Sequence, residues 1–299
     1  MVVNQPTGIF NMADINNIAT NKSYLKIMIM NTGGKDQGDK PTDRRKRAIY
    51  DVVTNTQAGL VLFQEFKWTS ISSRAWKGLD YSWPAHLEHT GHNDASILYD
   101  INEVTVKPLP QTLLDDTLLD LIRMGDIQQG FTPIPRMCLR KVTTKVAPIV
   151  EFICISWHGR HNKAKLEDLK EEFKSMLKYI LKLSEKESLP ILLAGDFNVK
   201  IKDIETLVSP PLVLHKYKLT KRREPENMID FFISSKSLLM LGIKTLTLES
   251  ETTVMNVLSL FDHDPVVSFM ITDRCLIAPH LLAYLFIKFL LVQLDQWSK

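Results

Sequence analysis

Eight polar residues stand at or near the ends of apolar runs: Asn31, Glu65, His158, Asp196, Asn198, Asp230, Asp262 and His263. Their types suit one chemistry. Carboxylate and amide oxygens are hard donors of the kind that hold Mg²⁺, Mn²⁺ or Ca²⁺. Histidines beside them can stabilise phosphoryl charge or move a proton. Each is weak alone. A glutamate after a strand is ordinarily a solvated edge residue, Gly195-Asp196-Phe197-Asn198 is built of turn formers, and Asp262-His263-Asp264-Pro265 reads equally as a loop. The signal lies in their order along the chain, each beside a strand-like run.

The elements that must position them follow from patterning. Short apolar runs at 25–30, 60–63, 95–99, 149–156, 191–194, 229–233 and 266–271 read as strands, three of them followed directly by Asn31, Asp100 or Gly195. Ala48, Ile49, Val52 and Val53 recur at helical spacing behind cap residues at 41–43, so a helix is predicted over about 43–56. Leu166, Leu169, Phe173, Leu177, Ile180 and Leu181 mark an amphipathic helix with Lys and Glu on its outer face, broken at 184–190. Strands with few helices suggest sheets packed face to face with helices outside. One domain over 24–272 is expected, between a polar segment at 1–23 and an apolar tail at 273–299.

In order, NTGG (31–34), FQEF (63–66), SWHG (156–159), AGDFN (194–198), MIDFF (228–232) and FDHDPV (261–266) resemble the endonuclease/exonuclease/phosphatase superfamily, the DNase I-like proteins, over about 25–271. The resemblance implies a four-layered α/β sandwich of two mixed sheets with helices on both outer sides. It also implies a metal site at Asn31, Glu65 and Asp262, with Glu65 the main ligand of Mg²⁺ or Mn²⁺. His158 would contact the scissile phosphate, Asp196 would orient or deprotonate water, and Asn198 would bond a phosphate oxygen. Asp230 would be a further acidic residue, and Asp262 would orient His263 as charge stabiliser or acid/base. The chain departs from the family pattern at Phe261, where Ser is usual, and at Met228, where several members carry Arg.

Composition sets the remaining bounds. The 299 residues are 44% hydrophobic and 24% charged, a globular balance, and the net charge of +3 does not by itself argue for a polyanion partner. Cys138, Cys154 and Cys275 show no CxxC or zinc spacing, Cys154 reads as a core thiol, and a reducing intracellular compartment, nuclear or cytoplasmic, is expected. Residues 276–294 approach the length of a membrane span but are interrupted by Pro279, His280 and Lys288. A central lysine costs about 2.5–3.5 kcal/mol on insertion scales. A docked helix, a membrane tail anchor and a poorly ordered end compete there.

Two surface features compete with blander readings. Lys221, Arg222 and Arg223, beside Lys216 and Lys218, could flank a polyanionic substrate or form an ordinary surface loop. His86, His89 and His92 could hold a second metal, but Pro84 and Gly91 argue for a solvated loop. The leading functional expectation is a metal-dependent phosphodiesterase acting on nucleic acid. A phosphatase or sphingomyelinase-like esterase is the enzymatic alternative, and a non-catalytic binding module on this scaffold is the other.

Overall fold

Apolar runs buried on both faces must lie inside layers, and the computed structural model has them in two sheets. It describes residues 2–4, 24–33, 43–66, 83–92, 94–127, 130–133, 136–145, 149–160, 165–216, 228–245 and 263–272. The strands are β1 (Val2–Asn4), β2 (Leu25–Asn31), β3 (Leu60–Gln64), β4 (Leu87–Gly91), β5 (Ala95–Asp100), β6 (Val104–Pro108) and β7 (Met137–Thr144). They continue as β8 (Glu151–His158), β9 (Ile191–Asp196), β10 (Leu212–Lys216), β11 (Asp230–Ser235), β12 (Leu238–Thr245) and β13 (Val266–Thr272). The helices are α1 (Asp43–Thr56), α2 (Gln111–Arg123), α3 (Leu166–Glu187) and the short α4 (Ile201–Ile204).

Both sheets are mixed. One has seven strands in the order β1-β10-β11-β9-β8-β7-β6, with β8 and β9 parallel at its centre. The other has six in the order β12-β13-β2-β3-β5-β4, with β2 and β3 parallel. They pack face to face through β2, β3 and β5 against β7, β8 and β9. Helix α1 covers the outer face of the six-stranded sheet, where Ala48, Ile49, Val52 and Val53 meet Met28, Met30, Val61 and Phe63. Helix α3 covers the seven-stranded sheet with Phe173, Met176, Ile180 and Leu183. Each such buried side chain contributes on the order of 1.5–3 kcal/mol. The result is the expected four-layered sandwich.

Several elements differ from the sequence expectation. Strand β8 begins at Glu151, and Ile149 is exposed. Helix α3 runs through Ser184 to Glu187, because Glu and Lys are good helix formers; it ends where Ser188 turns left-handed at φ 54°. The histidine segment is not a solvated loop: Leu87–Gly91 pairs antiparallel with β5 as an edge strand. Val2–Asn4, inside the polar N-terminal segment, pairs parallel with β10. Cys138 and Cys154 are buried, while Cys275 lies outside the described residues. Among the described residues no helix is long and apolar enough to cross a membrane, and 276–294 fall outside them.

Candidate active site

Register assembles the site. His158, Asp196 and Asp230 sit opposite one another on three adjacent strands, β8, β9 and β11. Residues directly opposite share a face of the sheet, so three polar side chains line up at one end of the seven-stranded sheet. In the other sheet, Asn31 pairs with Gln64 at the ends of parallel β2 and β3, and Glu65 follows. The two ends face each other. Asn31 Nδ2 donates to Asp196 Oδ2 at 2.8 Å, and His158 Nε2 lies 3.5 Å from Glu65 Oε1. His263, just before β13, brings Nδ1 to 2.9 Å from Asp230 Oδ2 and 3.6 Å from Asp196 Oδ2.

The local backbone explains the residue types. Glu65 adopts φ 54° and Asn198 φ 51°. Asparagine tolerates this left-handed region, but a glutamate there must be held by its surroundings. Thr32 holds it: its N–H bonds Gln64 O at 2.9 Å and its hydroxyl bonds Glu65 O at 3.0 Å. Glu65 N–H itself goes to Asp94 O at 3.1 Å. Gly33 makes room for the site, since a Cβ there would lie 2.5 Å from Glu65 Oε2 and 2.9 Å from Asn31 Oδ1. Behind the site, Gln64 Nε2 donates to Ser156 Oγ at 3.0 Å and that hydroxyl donates to Phe63 O at 2.9 Å. This buried joint ties the sheets together one residue before Glu65 and two before His158.

Electrostatics concentrate on Asp196. Burial, then repulsion from Asp230, pushes its pKa up to about 7, while His263, the Asn198 N–H and the Asn31 amide act the other way. The Asn198 N–H bonds Asp196 Oδ1 at 2.9 Å, and the Asn198 amide donates to Gly159 O at 3.0 Å. With Nδ1 of His263 facing two carboxylates, the network assigns the proton to Nδ1 and leaves Nε2 for other partners.

Asp196, Asp230 and His263 bring ligand atoms within 4.8 Å of one another, as a metal site would. In this structure His263 Nδ1 already faces both carboxylates of that cluster. Glu65 Oε2 and Asn31 Oδ1, which both border the space a Cβ on Gly33 would fill, are a second pair of hard donors that could hold a cation. Glu65 Oε1 is 3.4 Å from Asn31 Nδ2 and 3.5 Å from His158 Nε2, both at the outer limit of hydrogen bonding. Oxygen donors at converging strand ends suit Mg²⁺ or Mn²⁺.

Of the residues expected from the sequence, Asn31, Glu65, His158, Asp196, Asn198, Asp230 and His263 come together. Asp262, Lys221, Arg222 and Arg223 lie outside the described residues. The carboxylate seen on His263 is Asp230, a pairing that no sequence spacing signals across 33 positions. Thr32, Gly33, Gln64 and Ser156 lie inside the motifs NTGG, FQEF and SWHG without a role there; the contacts around Glu65 and the packing of β3 on β8 give them one. Lys216, from the basic run, pairs with Glu205. The three histidines near β4 do not converge: His86 faces Asp100 at 3.8 Å, His89 packs against the Phe66 ring, and His92 reaches Met137 O at 3.2 Å.

No protein-family model matches the chain, and no curated protein does. Solved structures match over most of it. The human Nocturnin catalytic domain, with a bound sulfate anion, is 13% identical over 84% of this chain and 95% of that one, at TM-score 0.60. An endonuclease/exonuclease/phosphatase from Bacteroides vulgatus is 16% identical over 83% and 99%, at 0.55. D. rerio TDP2 complexed with single strand DNA product is 13% identical over 84% and 100%, at 0.54. At these identities the likeness is one of fold.

Proposed function

We propose, for a chain that carries the DNase I-like fold of the endonuclease/exonuclease/phosphatase proteins, a divalent-metal-dependent phosphoesterase that hydrolyses phosphodiesters of nucleic acid. The observation that supports it best is the cross-sheet cluster, in which Asn31 bonds Asp196 at 2.8 Å while His263 faces Asp230 at 2.9 Å. A site of this make-up matches what phosphoryl transfer needs: a placed water, neutralised oxygens and a stabilised leaving group.

Glu65 and Asn31 would hold a divalent cation, which when bound would supply positive charge to the phosphate oxygens. Asp196, its pKa raised to about 7, takes the proton of the attacking water. His158 and one N–H of the Asn198 amide contact non-bridging oxygens. His263, oriented by Asp230, faces the negative charge that grows on the phosphoryl group. The nucleic-acid substrate is supported by the basic residues Lys221, Arg222 and Arg223 and by the DNA product bound in the TDP2 neighbour.

The test is a panel of plasmid DNA, abasic DNA, RNA, inositol phosphates and sphingomyelin with Mg²⁺ or Mn²⁺. Hydrolysis of nucleic acid that stops in excess EDTA is expected, with Glu65→Ala raising the metal concentration required. Hydrolysis of sphingomyelin or inositol phosphates alone would keep the phosphoesterase and replace the substrate. Undiminished turnover in EDTA, or no hydrolysis of any ester, would overturn the reading.

A further inference from the structure

Strand β8 ends at His158, and its last carbonyls run past the ladder. The β7–β8 pairing stops with Met137 opposite Trp157. Backbone carbonyls beyond that point need donors from elsewhere. Arg136, the residue before β7, provides them: its Nη1 lies 2.8 Å from Gly159 O and 3.3 Å from His158 O. Its own carbonyl accepts the His158 N–H at 2.9 Å. One residue therefore grips His158 at both its N–H and its C=O.

The grip is closed from the far side. Gly159 O also accepts the Asn198 amide at 3.0 Å, and Gly159 N–H donates to Asp196 O at 2.7 Å. A Cβ at Gly159 would lie 2.1 Å from Phe197 O, so the segment has no room to move towards the loop after β9. On the helix side, Glu172 of α3 pairs with Arg160 at 3.2 Å and feels the charge of Arg136 as well. Arg136 thus joins the start of β7 to the end of β8 at the residue whose imidazole reaches Glu65, within electrostatic reach of α3.

We propose that Arg136 is a positioning residue for His158, holding its backbone so that the imidazole meets the phosphate, an inference that rests on the phosphoesterase reading for its catalytic consequence. Both carbonyls are met by one nitrogen, Nη1, whose hydrogens lie in the fixed plane of the guanidinium, a direction that a freely rotating lysine ammonium does not reproduce. A displacement of about 1 Å in such a group can cost on the order of 10²-fold in rate.

Two readouts on the full chain test it, and the first needs no substrate. In EDTA, the ring ¹H–¹⁵N resonances of His158 should shift or broaden in Arg136→Met, while those of His263 and His215 stay in place. Arg136→Lys should give a smaller displacement, and it carries the same comparison if Arg136→Met does not fold. The second readout uses bis(p-nitrophenyl) phosphate with Mn²⁺: kcat should fall about 10–100-fold with KM changed by less than about threefold. Unmoved His158 resonances, or equal shifts of all histidines with a lowered Tm, would overturn the positioning role. A wild type that hydrolyses no phosphoester while His158 alone responds would overturn the phosphoesterase reading and leave the positioning role standing.

Discussion

Asn31 and Asp196 are 165 residues apart in sequence and joined by one hydrogen bond of 2.8 Å across the gap between the two sheets. The amide donates to a fully buried carboxylate, so it is one of the groups that let Asp196 ionise at all. Removing it should act on chemistry before stability. A hydrogen bond to a charged group is worth about 1.5–3 kcal/mol. Asn31→Ala should therefore lower kcat/KM by roughly 10–100-fold, and Asn31→Asp should be worse because it adds a like charge. Steady-state kinetics at saturating metal check this; a rate within a factor of about two would show that the bond is idle in turnover.

Gly33→Ala separates folding from metal binding. The new methyl would meet the tip of the Glu65 carboxylate rather than backbone, and that tip can move. The fold should hold, with Tm little changed, while the metal concentration for half-maximal activity rises about tenfold, as expected when a ligand's supporting groups are disturbed. A metal titration beside a thermal melt decides it. A large loss of Tm at unchanged metal affinity would refute the idea that Gly33 makes room for Glu65.

Two buried groups oppose each other in the acid stability of the metal-free protein. Asp196 has its folded pKa raised from 3.8 to about 7, so its contribution is fully present below pH 3.8 and lost as pH rises through about 7. His215 has its folded pKa lowered from 6.5 to about 4 by burial. Its ring lies 2.9 Å from Ser234 Oγ, whose own proton goes to Leu238 O, so the imidazole donates there while burial disfavours its charged form. Its contribution is present above pH 6.5 and lost as pH falls towards 4. In EDTA, Asp196→Asn should make unfolding free energy rise more steeply from pH 4 to 7 than in wild type, and His215→Gln should flatten that rise. Denaturant melts at several pH values measure both slopes. Unchanged slopes in either variant would mean that the group titrates alike in both states.

Replacing Lys221, Arg222 and Arg223 by Ala should weaken nucleic-acid binding more than chemistry. Each lost phosphate contact should reduce the log–log salt slope by roughly 0.7–0.9. Fluorescence anisotropy with a labelled oligonucleotide across a salt series reads this directly. An identical slope in the triple variant would return these residues to an ordinary surface.

Much of the site was legible because its members end strands whose apolar runs are unmistakable. Leu60–Gln64 and Ile191–Asp196 are buried at every position and announce themselves by composition. Strand β4 did not, because an edge strand with a half-exposed pattern and three histidines carries no clean alternation. Strand β7 mixes Arg140 and Lys141 into its run and hid for the same reason. Partner choice was the least legible part. That Asp230 holds His263 depends on β11 lying beside β9 and on β13 running antiparallel to β2, facts of topology that residue types do not encode.

The cross-sheet construction also has a kinetic meaning. Asn31 and Glu65 come from one sheet, His158, Asp196 and Asp230 from the other, and His263 arrives with β13 near the end of the described chain. No intermediate that has built a single sheet can carry the whole constellation. Activity is therefore a late reporter of refolding: circular dichroism should recover first, and hydrolysis should return only when both sheets have docked.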